Sequence, residues 1–525
     1  MSRWDIRLFS IGISLSLFAC GGRDPKWDVA FERGKTIGLS GSVAAIDEGS
    51  DELIFLSSKK RRSLEVNRFS LNEGVSFMAA SQDGERLFVL SQGKVPRARA
   101  EDPPPTLQIF SGGTKPKLER ELELDDPMGS LALDPEGEFA VAFSGSAIVT
   151  NPNELVLIDL KDEKSKPRPK TLRSFGGAPV GLVFTGPLAM PEGDPRRFLV
   201  ARTDRDIALV DLSHLERSEV TVQLPKNSAG TRLAPEQVVY SDGDPDDPTD
   251  ARLAVRLNGS SDVVLCQFAP PTAEGRDFSL RVNIVDVGGV PSAIEFVQTD
   301  RGLRLAALVP TRSRATLVDP YTTATEVVEL GAPYSRMSRI TGALDSPPEG
   351  GDVALLWGGD ARRIAFWSLG STSGTPYRSV DSTDLSVPLA AVLDVGGVNG
   401  HLKVLLSNDP RRFFVLDLVK RESFPLETRS GDYKISVARD GGRIWAAASA
   451  TEAVSMIDLT DLHPTSFTAG SQISEVFDIA RDDGGRAMIL VHGASQGLSV
   501  TVGDAYQPDP TESEYFPALH LWGLR

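Results

Sequence analysis

The chain has 525 residues, a formal charge of −16, 40% hydrophobic residues, 48 glycines, 35 prolines and two cysteines. So acidic a surface repels phosphate backbones and anionic headgroups, which argues against nucleic acid as a partner and against electrostatic binding to a membrane. Two cysteines exclude a disulfide framework, and the apolar fraction is ample for a large core.

The first twenty residues carry an address. Arg3 and Arg7 form a short basic region ahead of an apolar stretch from Leu8 to Ala19. A bilayer-spanning helix needs about 20 apolar residues, whereas this shorter stretch suits the core of a signal peptide. The segment closes on Leu17-Phe18-Ala19-Cys20-Gly21-Gly22, which resembles the lipobox of bacterial lipoproteins. The resemblance implies a signal peptide over 1–19, lipidation at Cys20, and a tether over 20–35. Phe18 is bulkier than the family usually places there. Acyl chains on Cys20 would anchor the protein to a membrane. Gly21 stands where an aspartate holds such lipoproteins at the inner membrane, so the resemblance points to the outer membrane. No later segment approaches transmembrane length, so membrane contact would rest on the lipid anchor alone.

From residue 36 onward an apolar strand, often ending in aspartate, returns at intervals of roughly 41–56 residues. Leu155–Asp159, Ile207–Asp211, Thr316–Asp319, Ile364–Ser368, Phe413–Asp417 and Val454–Asp458 are six such strands. One four-stranded sheet needs about that much chain, and sheets of this kind arranged radially make a β-propeller. The expected fold is all-β: a propeller of about 8–10 repeats over 36–525, with a single large ring favoured because no long linker divides the chain. Units are expected to begin near residues 36, 74, 126, 178, 233, 290, 333, 386, 429 and 471. Hairpins precede the recurring strands, as in Ser81-Gln82-Asp83-Gly84 and Ala438-Arg439-Asp440-Gly441, with further copies at Asp134–Gly137 and Asp482–Gly485. Aspartate-glycine pairs favour the positive φ that tight hairpins require. These stretches resemble the hairpins of YVTN-type and WD40-like bacterial propellers, a likeness specific for fold and nearly silent on function. Tyr515 to Trp522 offers a last strand, and in many propellers the terminal strands share one blade, with Trp27–Phe31 or the strand after it as the partner.

One loop has metal-ligating chemistry. Asp242, Asp244, Asp246 and Asp250 alternate along a connection between two strands, and calcium takes six to eight oxygen ligands that such a loop can supply. The spacing resembles the calcium loops of integrin-type propellers, although Asp247 stands where those loops have glycine and Pro245 stiffens the turn. Calcium is thus the one cofactor the sequence suggests. Gly493-Ala494-Ser495-Gln496-Gly497 matches a nucleophile-elbow pattern, but it joins two strands where an elbow needs a strand-to-helix turn. The five histidines show no metal-ligand spacing. Cys266 sits in a repeat strand as a small core residue.

The reading that follows is a membrane-anchored, non-enzymatic binding or scaffold module at the cell envelope, its broad faces suited to a protein or glycan partner. The alternative is a propeller hydrolase or lactonase working at the central channel.

Overall fold

The computed structural model describes residues 29–145, 151–173, 177–191, 193–227, 230–243, 247, 250–271, 278–340, 351–358, 361–370, 379–409, 411–427, 433–448, 451–493 and 497–522. Forty strands form ten four-stranded sheets, each built from consecutive antiparallel strands. These blades, numbered in chain order, span 33–70, 75–123, 130–171, 179–223, 235–286, 293–329, 336–384, 389–427, 433–468 and 473–516. The starts fall within a few residues of those expected from the repeat.

The two middle strands of each blade are covered on both faces by neighbouring blades, so they read as continuous apolar runs. In blade 1, Ser42–Asp47 and Glu52–Ser57 are buried at every position, while the innermost strand, Arg33–Gly38, is only half-buried. The recurring strands of the sequence are the third strands of their blades, including Glu154–Asp159, Asp206–Asp211 and Ala453–Asp458. The aspartate-glycine hairpins sit between first and second strands, with φ of +74° at Gly84, +71° at Gly137 and +71° at Gly441. Asp83 and Asp440 fix two of these turns by accepting from the amides of Glu85 at 2.9 Å and Gly442 at 2.9 Å.

Ten apolar clusters each join one blade to the next, and together they close the ring. The closing cluster packs Val43, Ala45, Ile54 and Leu56 of blade 1 against Ile489, Val491 and Val500 of blade 10, with Leu519 beyond. The chain is therefore a single ten-bladed β-propeller.

The terminal strands do not share a blade, contrary to expectation. Blade 1 is wholly N-terminal and blade 10 wholly C-terminal. Blade 10 ends in a short strand, Glu514–Phe516, followed by a 3-10 turn over Leu519–Leu521. Face-to-face packing closes the ring, aided by Phe31, whose ring lies 4.9 Å from that of His520.

Strand direction gives the ring two distinct faces. Innermost strands begin at the N-terminal face, where Glu48 N–H donates to the Glu32 carbonyl at 2.8 Å. Loops after the first and third strands leave from the opposite, hairpin face, among them those after Phe184, Ser241 and Arg339, while the connection 92–105 lies on the N-terminal face.

Candidate functional site

The innermost strands form the channel wall, and their chemistry is uneven around the ring. Those of blades 2, 3 and 4, Val75–Ala80, Ser130–Leu133 and Pro179–Phe184, carry no charge. Charged groups come from blades 1 and 5–10, and most face an opposite charge. Glu475 of blade 10 pairs with Arg33 of blade 1 at 3.3 Å and with Lys434 of blade 9 at 3.8 Å. Glu236 pairs with Arg256, and Asp394 with Lys403. Glu295 of blade 6 is different. Burial pushes its carboxyl pKa up, and the Arg339 guanidinium of blade 7 only partly opposes that shift.

Hairpins lace together at the rim of the hairpin face. Asn399 of blade 8 donates to the Gly441 carbonyl of blade 9 at 2.8 Å. Arg439 of blade 9 donates to the carbonyls of Gly38 in blade 1, at 2.9 Å, and Gln82 in blade 2, at 3.0 Å. Ala480 N–H of blade 10 donates to Ser40 O at 2.8 Å, and Ser40 N–H to Gly84 O at 3.0 Å. Only glycine fits at 441, where a Cβ would stand 1.7 Å from the Gly396 carbonyl oxygen. A cavity of about 250 Å³ lies behind this lacing, lined by Leu39, Val437, Trp445, Phe477, Asp478 and Arg439 among others.

Asp478 forms the wall of that cavity and the hub of a buried charge cluster. It accepts from Arg443 Nε at 2.9 Å, from Arg486 Nε at 2.5 Å and from Trp445 Nε1 at 3.4 Å. Asp440 adds a second carboxylate, 3.0 Å from Arg443 and 3.3 Å from Arg486. The Tyr506 ring covers the Arg443 guanidinium at 4.4 Å. Two carboxylates balance two guanidiniums here, so the cluster staples blade 9 to blade 10.

Two of the aspartates suggested for calcium have protein partners. Asp242 accepts from the Ala189 amide of blade 4 at 2.7 Å. Asp250 is buried in an ion pair with Arg252, and the Arg252 guanidinium lies 4.9 Å over the Tyr321 ring of blade 6. Asp244 and Asp246 lie outside the described residues, as does Cys20. Among the described residues, no three His, Cys, Asp or Glu side chains group as metal ligands.

Of the other sequence candidates, Cys266 and His492 are buried packing elements. Cys266 is fully buried between blades 4 and 5, and burial pushes its thiol pKa up to about 12. Gly493 and Gly497 lie between the strands Arg486–His492 and Val500–Asp504, with 494–496 outside the described residues. His492 is buried, with Ser471 Oγ at Nδ1, Thr501 Oγ1 2.8 Å from Nε2 and the Tyr515 ring edge-on at 5.1 Å. Its ring partners are neutral hydroxyls, and burial lowers its pKa. Burial is also the largest influence on His520, whose pKa is lowered too. A depressed histidine pKa means that the unfolded chain binds more protons below about pH 6.5. Stability is therefore expected to fall as the pH drops from 7 towards 5.5, and His492→Gln to flatten that slope; urea unfolding at several pH values measures both.

No family model matches the chain, and no curated protein does. Comparison with solved structures finds matches of low identity. A eukaryotic initiation factor aligns with a TM-score of 0.45 and 8% identity over 92% of this chain and 96% of its own. The dihydro-heme d1 dehydrogenase NirN in complex with DHE gives 0.39 and 12% over 83% and 75%. AztD of Citrobacter koseri gives 0.33 and 14% over 74% and 95%.

Sequence reasoning missed the Arg33–Glu475–Lys434 group, the Arg439 lacing and Glu295. A usable signal was present in charge at innermost-strand positions, as in Ile473-Ser474-Glu475-Val476-Phe477-Asp478. Reading it requires knowing which strand of each repeat is innermost.

Proposed function

We propose that the protein is a lipid-anchored, non-enzymatic binding or scaffold module of the cell envelope, tethered through Cys20 and taking a protein or glycan partner on its hairpin face. The observation that carries this reading is directional. Residues 30–32 run beside 47–49 at the N-terminal face, so a tether beginning at Cys20 would leave from the face opposite the connections after Phe184 and Ser241, alongside the connection 92–105. An anchored ring would then turn the connections after Phe184 and Ser241 away from the membrane, where loops on a rigid scaffold do their binding. The commitment of Glu475, Glu236, Asp394 and Asp478 to cationic partners supports a structural use of those groups.

Cys20→Ser is expected to move the protein from the membrane fraction to the soluble fraction and to abolish incorporation of labelled palmitate. Crosslinking in intact envelopes then tests the binding face. A specific partner captured by the wild type and lost on deleting the exposed residues 193–195 supports the reading. A partner retained by that variant and lost on changing the N-terminal face argues against it.

The alternative, a hydrolase or lactonase at the channel, draws on Glu295, whose raised pKa suits a proton donor. It requires ester or lactone hydrolysis that Glu295→Gln abolishes without unfolding the protein.

A further inference from the structure

Outer strands of a propeller are sheet edges, and edges with free amides and carbonyls pair with other chains unless something blocks them. Nine of the ten outer strands here are blunted. They are short, as in Val220–Gln223 and Glu514–Phe516, or hold proline, as in Arg168–Thr171, Glu422–Glu427 and Pro464–Thr468. The others are studded with charge, as in Leu118–Glu123 and Thr325–Glu329. Blade 5 is the exception. Its outer strand, Ser279–Asp286, runs eight residues without proline, and Val282-Asn283-Ile284-Val285 carries no charge. Val282 is 42% exposed and Ile284 54%.

The strand pairs along its whole length with Asp262–Ala269 without a register shift. Val287 N–H bonds Ser261 O at 2.9 Å, so by alternation the amides and carbonyls of Leu280, Val282, Ile284 and Asp286 point away from the sheet. We propose that this edge is a homodimer interface, on which a second copy of the chain adds the same strand antiparallel about a two-fold axis at Asn283.

The register follows from symmetry. A two-fold axis normal to the sheet keeps residues of the same facing opposite one another. Centring it on Asn283 sets Val282 against Ile284 of the partner copy, twice, and Leu280 against Asp286. Every outward amide and carbonyl from 280 to 286 then has a counterpart, and the two exposed apolar side chains cover each other. Each copy carries a charge of −16, so the copies repel at long range and added salt strengthens the dimer by screening.

Asn283 would face itself as a non-hydrogen-bonded pair, with Cα atoms about 4.5 Å apart, close enough for a disulfide. The test uses the full chain with Cys20→Ser and Cys266→Ala. Asn283→Cys should give a disulfide-linked dimer on mild oxidation, at least tenfold faster than Arg281→Cys, which lies off the axis. Adding Ile284→Lys should slow that crosslink severalfold, and raising the salt should speed it. Equal rates at 283 and 281, or a monomer at every concentration by light scattering, overturn the proposal.

Discussion

Asp478→Ala is expected to destabilise the protein by about 3–5 kcal/mol, the cost typical of removing one partner from a buried ion pair. The Asp478 side chain is only 1% exposed and Arg443 only 5%, so the guanidiniums would lose a carboxylate in a largely desolvated setting. Arg443 and Arg486 would be left facing each other with Asp440 alone between them. The Trp445 indole N–H would also lose its acceptor. Asp478→Asn keeps the shape and loses the charge, so it separates the electrostatic part from the packing part. Urea unfolding followed by circular dichroism gives both values. A loss below about 1 kcal/mol, the level of an exposed pair, would mean that the cluster is hydrated.

Trp367→Ala should cost a similar amount, about 3–5 kcal/mol, for a different reason. Trp367 is fully buried between blades 6 and 7, where it packs in one cluster with Leu356, Leu330 and Tyr334. Truncation removes the largest side chain of that interface and leaves a cavity that the paired strands cannot collapse into. The indole N–H has no hydrogen-bond partner among the described residues, so Trp367→Phe should recover most of the loss. Because the two sites lie in separate blade interfaces, the double variant should add to within about 0.5 kcal/mol. Calorimetry of the single and double variants checks the sizes and the additivity together.

Much of the ring was legible in the sequence. The third strand of each blade is covered on both faces, so Ile364-Ala365-Phe366-Trp367 and its equivalents stand out as uninterrupted apolar runs. Hairpins such as Asp83-Gly84 announce themselves through local chemistry. The innermost strands are half-exposed and mix polar with apolar residues, which left their charges unread. Arg439 bonds a carbonyl 401 positions away, and no local pattern encodes that. Asp242 was read by its spacing to Asp244, whereas its partner in the structure, the Ala189 amide, lies 53 positions back in blade 4. How the ring closes was also hidden. Phe516 does lie in the final strand and Leu519 in the turn after it, and both pack against blade 1.

The seam of the ten-bladed ring offers the most direct test of its closure. Ser40 of blade 1 and Ala480 of blade 10 are joined by a 2.8 Å hydrogen bond from the Ala480 amide to the Ser40 carbonyl, and backbones so bonded hold their Cα atoms about 5.5 Å apart, within the span of a disulfide. Ser40→Cys with Ala480→Cys, in a chain with Cys20→Ser and Cys266→Ala, should oxidise within one molecule and migrate faster on a non-reducing gel, leaving no free thiol. Two thiols that stay free and titratable under the same oxidant would contradict closure between the first and last blades.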